Sequence, residues 1–248
     1  MKSLNLKDVV EYVEDNTGDF HKRRAISLQK LKLSDVLERK NPYLFRAKNI
    51  TTAQDLVKLL LDAHLSSQEE AIFGEFLEGL AIFVCGKVYS GKKSSAEGID
   101  LEFEKDNMLY IVSVKSGPNW GNSSQIKRMV ENFKKAQRIL RTSHARTNIQ
   151  AINGCCYGRE AQPDKNDYWK LCGQDFWEFI SGNKNLYIEI IEPLGYRAKE
   201  RNEEFSVEYG KILNVFTNQF FNDFCTDGKI DWGKLVKFNS EKKIANKI

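Results

Sequence analysis

Asp100 and Lys115 are the side chains of this chain best suited to chemistry, and they sit on two segments built to lie side by side. In Gly98-Ile99-Asp100-Leu101-Glu102-Phe103 the apolar Leu101 and Phe103 alternate with Asp100 and Glu102, a strand pattern. Leu109-Tyr110-Ile111-Val112-Ser113-Val114-Lys115 is apolar and β-branched until its end. The polar gap Glu104-Lys105-Asp106-Asn107-Met108 has hairpin-loop length, so the two strands pair. Because side chains alternate across a strand, Ser113 and Lys115 share a face, and Asp100 can sit opposite them. A carboxylate beside a lysine at a hairpin's end can hold a divalent cation and activate a water.

Phosphodiester hydrolysis asks for that set: charge neutralisation at phosphorus, an activated water and help for the leaving oxygen. Asp100 supplies a metal-binding carboxylate, Lys115 orients or deprotonates water, and the backbone carbonyl of Val114 offers a further oxygen ligand, which Mg²⁺ accepts. The competing reading is a cross-strand salt bridge on a solvent face, the commoner fate of an isolated Asp–Lys pair.

The neighbouring residues shift that balance. The hairpin resembles the PD-(D/E)xK nuclease superfamily, with its first Asp followed by an acidic-x-Lys triplet. Ser94-Ser95-Ala96-Glu97-Gly98-Ile99-Asp100 and Ser113-Val114-Lys115-Ser116-Gly117-Pro118-Asn119-Trp120-Gly121-Asn122-Ser123-Ser124-Gln125 are similar to type II restriction endonucleases of the PmeII-like group. The likeness continues through Asn153-Gly154-Cys155-Cys156-Tyr157-Gly158-Arg159 and Phe176-Trp177-Glu178-Phe179-Ile180-Ser181-Gly182-Asn183, so it runs from residue 85 to beyond residue 190. It implies an α/β fold, a mixed central β-sheet flanked by helices, here with a helical N-terminal extension. It further implies Mg²⁺-dependent cleavage of double-stranded DNA at a specific sequence, and a cognate DNA methyltransferase that protects the same site in the host. A two-fold symmetric DNA site is most simply cut by a homodimer.

Two positions depart from the superfamily pattern. Ile99 stands where proline is common, which affects only the turn. Ser113 stands where the second acid is expected, and some restriction enzymes with Ser-x-Lys recruit that carboxylate from a helix. Glu131 is one candidate, but the apolar face of its helix centres on Met129, Val130 and Phe133 and turns Glu131 away, toward Lys127 and Lys135. Glu78 is the better one: it shares a helical stripe with Ala71, Gly74, Ala81 and Ile82, where a carboxylate needs a partner. Gly74-Glu75-Phe76-Leu77-Glu78 also resembles the superfamily's first helix. The alternative for Glu78 is a surface pairing with Lys87 or another base; Glu75 and Glu70 are reserves. The expected metal ligands are therefore Asp100, Glu78 and Val114, with Ser113 and Lys115 completing the catalytic set.

Candidate DNA contacts follow the lysine. Asn119, Asn122 and Gln125 can read adenine edges, and Ser123 and Ser124 can bond bases or phosphates. Lys127 and Arg128, in the first turns of the next helix, suit phosphate, with Gln125 nearer that helix's core flank. Trp120 is either exposed to DNA or packed beneath the loop, and Arg159 can point toward guanine. Cys155 and Cys156 are read as a buried residue plus a neighbour rather than a metal or redox pair.

The elements expected around the site are helices at Leu6–Val13, Lys22–Arg39, Ala53–His64 (capped by Thr52) and Gln68–Val84 (capped by Ser66 or Ser67), with Asn41-Pro42 breaking the second. A strand and turn over Lys87–Gly91 precede the hairpin. An amphipathic helix carrying Ile126 to Leu140 follows it, then a strand at Asn148–Asn153. Helices at Asp167–Ile180 and Arg197–Phe224 flank a strand at Leu186–Ile191, and the last dozen residues are basic and frayed. This divides the chain into a helical extension, 1–65, that makes dimer or DNA contacts, and a nuclease core with C-terminal helices, 66–248.

Composition agrees with this reading. The chain has 248 residues and a net charge of +4. Its bases cluster: seven Lys/Arg lie in residues 20–40 and seven in residues 116–146, an electrostatic footprint for a phosphate backbone or two solvated helix faces. No apolar run spans a membrane, no export signal opens the chain, and five cysteines without scaffold density suit the cytoplasm. The alternative functions are a repair or recombination nuclease of the same fold, and a DNA-binding protein whose site has decayed at Ser113.

Overall fold

The computed structural model of the chain describes residues 2–144 and 148–242. Helix α1 (Leu6–Lys30) leads through the short α2 (Leu33–Glu38) and α3 (Pro42–Ala47) into the long α4 (Ala53–Tyr89). Strands β1 (Lys92–Lys93), β2 (Leu101–Lys105) and β3 (Met108–Lys115) follow, then α5 (Ser123–His144), β4 (Ile149–Cys155) and β5 (Trp169–Cys172). The chain continues with α6 (Gln174–Ser181), α7 (Leu186–Glu189), α8 (Ile191–Leu194) and α9 (Ala198–Phe224). A two-stranded ribbon, β6 (Cys225–Thr226) and β7 (Lys229–Ile230), precedes α10 (Trp232–Ser240). The elements group into two units, Met1–Phe20 with Ile72–Tyr196, and His21–Ala71 with Arg197–Ile248.

The first unit is built on a five-stranded sheet in the order β1-β2-β3-β4-β5. β1, β2 and β3 pair antiparallel, whereas β3–β4 and β4–β5 are parallel. The β2–β3 turn is tighter than its polar gap suggests: Asp106 and Asn107 alone make it, at φ of 52° and 60°. Those left-handed angles suit the turns that match strand twist, and Asp and Asn tolerate them. Parallel β3 and β4 need a crossover, which α5 supplies.

Both faces of the sheet are covered. Leu101, Phe103, Tyr110, Val112, Val114 and Ile152 pack with Leu77, Leu80 and Val84 of α4 and with Phe176, Trp177 and Ile180 of α6. On the opposite face Ile99, Leu109, Ile111, Ile149 and Ala151 meet Met129, Phe133 and Ala136 of α5. Double coverage is why β3 is apolar nearly throughout rather than alternating. A side chain as buried as Phe133 stabilises the fold by about 1.5–3 kcal/mol. This is the α/β architecture expected, a mixed sheet between helices with a helical N-terminal region. In the second unit, α2, α3, Leu56–Leu61 of α4, α9 and α10 share their own core around Phe216, Phe220 and Leu235.

Several expected elements differ. The two helices expected between Ala53 and Val84 are one, because Ser67 does not cap: its Oγ donates to the Ala63 carbonyl at 3.1 Å, one turn back in the same helix. Thr52 does cap, accepting the Asp55 N–H at 3.1 Å. The expected strand at Lys87–Gly91 is the end of α4, which stops where Ser90 turns left-handed at φ 58°. The first two expected helices are redrawn as α1 and α2.

Residues 186–191, expected as a strand, form α7 and part of α8. Leu186 and Ile190 are buried while Tyr187 and Ile188 are exposed, a helical spacing that a short apolar run cannot reveal alone. The helix expected from Asp167 begins only after β5, since Gly173 breaks the chain at φ 54°. Within the dozen C-terminal residues, those through Ser240 finish α10, and 243–248 lie outside the described residues. So does Arg146 of the second basic block. No helix among the described residues is long and apolar enough to cross a membrane.

Candidate active site

The hairpin register that pairs Leu101 with Val112 sets Asp100 beside Ser113 and Val114. Asp100 continues the ladder by donating its N–H to the Val112 carbonyl at 2.8 Å. Its Oδ2 accepts the Val114 N–H at 2.7 Å and the Ser113 hydroxyl at 3.4 Å. Lys115 Nζ stands 3.7 Å from that oxygen and donates to the Val114 carbonyl at 2.9 Å. Asp100, Ser113, Val114 and Lys115 thus converge at the end of β3. The Lys115 and Asp100 side chains are 28% and 21% exposed, neither a free surface pair nor a sealed one.

This is an oxygen site already accommodating a positive charge. The Asp100 carboxylate and the Val114 carbonyl both face the Lys115 ammonium, and the contacts Asp100 makes fall on Oδ2, leaving Oδ1 to a second cation. One or two carboxylates with a carbonyl are what a protein typically offers Mg²⁺, with waters and substrate phosphate completing the octahedron. The residues fit such an ion. Among the described residues no three His, Cys, Asp or Glu side chains gather into a metal cluster.

Glu78 reaches this end of the sheet from α4. Gly74, one turn earlier, lies against Ser116, where an added Cβ would be 3.9 Å from the serine's. Cys156 reports on both charges. Burial pushes its thiol up to about 12, the Glu78 carboxylate adds to the rise, and the Lys115 ammonium opposes it. Alternation puts Ser113 and Lys115 on the face of Ile111 and α5, whereas Glu78 comes from the α4 face. Its ion-pair partner is Lys93 of β1, at 3.3 Å, while Lys87 is engaged by Asp8 at 2.8 Å. The alternative reading of Glu78, a pairing with a base other than Lys87, is thus present; which base was not legible, because β1 is only two residues long.

Glu131 is exposed on α5, as its helical angle requires, and Glu70 and Glu75 are exposed on α4. Lys135, expected beside Glu131, pairs with Glu97 at 3.1 Å. Both Cys155 and Cys156 are buried, not one of them, because both faces of β4 are covered.

Asn119, Asn122, Ser123, Ser124, Gln125, Lys127 and Arg128 form an exposed set from the loop into α5. Gln125 is therefore not on the core flank. Asn122 and Gln125 cap α5 reciprocally: the Asn122 N–H donates to Gln125 Oε1 at 2.9 Å, and the Gln125 N–H to Asn122 Oδ1 at 3.0 Å. Their amide nitrogens are the donors left for a base. Arg128 lies 3.5 Å from Glu97. Arg159 is exposed after β4 and lines a cavity of about 780 Å³ with Tyr157, Gln174 and Trp177. Trp120 is half-buried, with Lys115 Nζ 5.3 Å from its ring centroid.

The loop after the lysine is braced by residues not singled out from the sequence. A Cβ at Gly117 would run into the Tyr157 ring, and one at Gly158 (φ 98°) into Pro118. Lys170 donates to the Pro118 carbonyl at 3.1 Å and pairs with Glu160 at 3.4 Å. Lys165 first, then the Gln162 N–H and Lys170, hold the Glu160 carboxyl below the usual carboxylate range. The signal was present in the two Gly-containing segments, but which segment met which was not.

Residues 7–202 match the family model described as type II restriction endonuclease EcoO109I. The search of curated proteins gave no significant match.

Proposed function

The chain belongs to the EcoO109I family of type II restriction endonucleases, nucleases that act on DNA, and from that premise we propose that it cuts both strands of double-stranded DNA at one specific sequence with Mg²⁺. The observation that carries the reading is the convergence of Asp100 Oδ2, the Val114 carbonyl and the Lys115 ammonium inside the matched region. Asp100, Val114 and Glu78 would hold the ion, whose chemistry is to lower the pKa of a bound water and neutralise phosphate charge. The Val114 N–H orients the Asp100 carboxylate. Lys115 orients the attacking water through its ammonium, or takes the water's proton when it stands as the neutral amine, and Ser113 fills the place of the usual second acid.

The exposed Asn119, Asn122, Ser123, Ser124, Gln125, Lys127, Arg128 and Arg159 are the DNA contacts of this reading. Membership of the PmeII-like group is part of this proposal, supported by the resemblance of the Gly- and Trp-bearing segment after Lys115. A homodimer, a cytoplasmic setting and a host methyltransferase for the same sequence complete the proposal, with the helices of 1–65 serving dimer or DNA contacts and 66–248 the nuclease core. Incubating the protein with a sequenced plasmid and Mg²⁺ should give discrete fragments, abolished by EDTA. A smear would favour a nuclease without sequence preference, and binding with no cutting would favour a decayed site.

Ser113 offers a sharper test. Its hydroxyl is 3.4 Å from Asp100 Oδ2, a weak contact, and the side chain is buried. Ser113→Ala should retain measurable cleavage. Ser113→Glu would set a further carboxylate against Asp100 at a buried position, raising one pKa and crowding the Mg²⁺ shell. It should cut more slowly than Ser113→Ala on one cognate oligonucleotide. A glutamate variant faster than wild type would mean that the site lacks its second carboxylate.

A further inference from the structure

We propose that Trp120 is a positioning residue for Lys115, its indole fixing where the ammonium stands; this rests on Lys115 being the lysine of the active site. Nζ lies 5.3 Å from the centroid of the Trp120 ring, within cation–π range. The other partners of the ammonium are the Val114 carbonyl at 2.9 Å, which a bound cation would also need, and, at 3.7 Å, Oδ2 of the Asp100 carboxylate whose Oδ1 is left to that cation. An ammonium holding only those oxygens would compete with the ion. The indole gives the flexible lysine stem a hold that uses neither.

The ring is built in rather than presented to solvent. Trp120 is half-buried and packs against the cluster that contains Ile99, Ile111, Met129 and Phe133. The chain between Lys115 and Trp120 has its path set at Gly117 by the Tyr157 ring, and at Pro118 by Gly158 and the Lys170 ammonium. Glycine is required at 158, where φ is 98° and a Cβ would meet Pro118, whereas a Cβ at 117 would have to push the exposed Tyr157 ring aside. Anchor, path and ammonium contact are three separate observations, and they converge on one function. A base-stacking tryptophan would instead need a free ring face.

The test compares Trp120→Leu, Trp120→Phe and stepwise-fluorinated tryptophans at position 120, in the full-length protein on one cognate oligonucleotide. Trp120→Leu should lower kcat about three- to thirtyfold. KM, and DNA affinity measured in EDTA, should stay within about twofold. Trp120→Phe should recover part of the loss. Fluorination, which weakens the ring's quadrupole at nearly constant shape, should lower kcat progressively while the thermal midpoint stays unchanged. The proposal is overturned if KM and affinity in EDTA worsen at constant kcat, which would make Trp120 a DNA contact. It is also overturned if fluorination has no effect while Trp120→Leu only lowers the thermal midpoint, which would make it a packing anchor. Lys115→Ala, assayed in parallel, separates the premise: if that variant cuts normally the active-site reading itself falls, whereas an inactive Lys115→Ala beside unchanged Trp120 variants sinks only this proposal.

Discussion

Lys115→Ala should cut at least about a thousandfold more slowly than wild type while binding the same DNA sequence with little loss, since a positioned proton-transfer group typically contributes factors of this order. The expectation rests on where the ammonium stands: 3.7 Å from Asp100 Oδ2 and 2.9 Å from the Val114 carbonyl, at the end of β3. Removing it takes charge and proton management from the water without touching base recognition. Asp100 keeps its Val114 N–H bond, so the hairpin should stay folded. Single-turnover cleavage in Mg²⁺ and gel-shift affinity in Ca²⁺ would measure the two effects separately. A variant that cuts near the wild-type rate removes Lys115 from the mechanism.

Asp100→Ala should be comparably inactive and should not recover at high Mg²⁺, because the lost carboxylate also organises the site. Its Oδ2 accepts from Val114 and Ser113 and faces Lys115, so alanine leaves a strand-end N–H unpaired and an ammonium short of its counter-charge. Glu78→Ala should fall well below wild type, and Glu131→Ala should cut almost normally. The structural contrast is plain. Glu78 is half-buried on α4, one turn after the Gly74 that lies against Ser116, whereas Glu131 is exposed on α5. Cleavage rates over a Mg²⁺ titration would rank the three. An inactive Glu131→Ala beside an active Glu78→Ala would assign the second carboxylate to the downstream helix. If both cut normally, Asp100 would be the only protein carboxylate on the ion.

The parts of this protein that the sequence determined by itself are those governed by short-range rules. Strand alternation and a two-residue turn are local, and they suffice to set Asp100 beside Ser113, Val114 and Lys115. Helical periodicity is equally local, and it puts Glu131 in solvent and Met129 and Phe133 inside without any knowledge of the sheet. Where two local outcomes lie close in energy, packing decided. Ser67 could cap a helix or return its hydroxyl to Ala63, and the continuous α4 took the second. The apolar run from Leu186 could be strand or helix, and burial of Leu186 with Ile190 chose helix. Contacts between distant segments were decided by tertiary structure alone: Lys93 with Glu78, Lys170 with the Pro118 carbonyl, and the grouping of His21–Ala71 with Arg197–Ile248. The reason is physical. Hydrogen bonding within a turn or across a hairpin depends on neighbours in the chain, whereas the partner of a long charged side chain depends on which remote surface the fold brings within its reach.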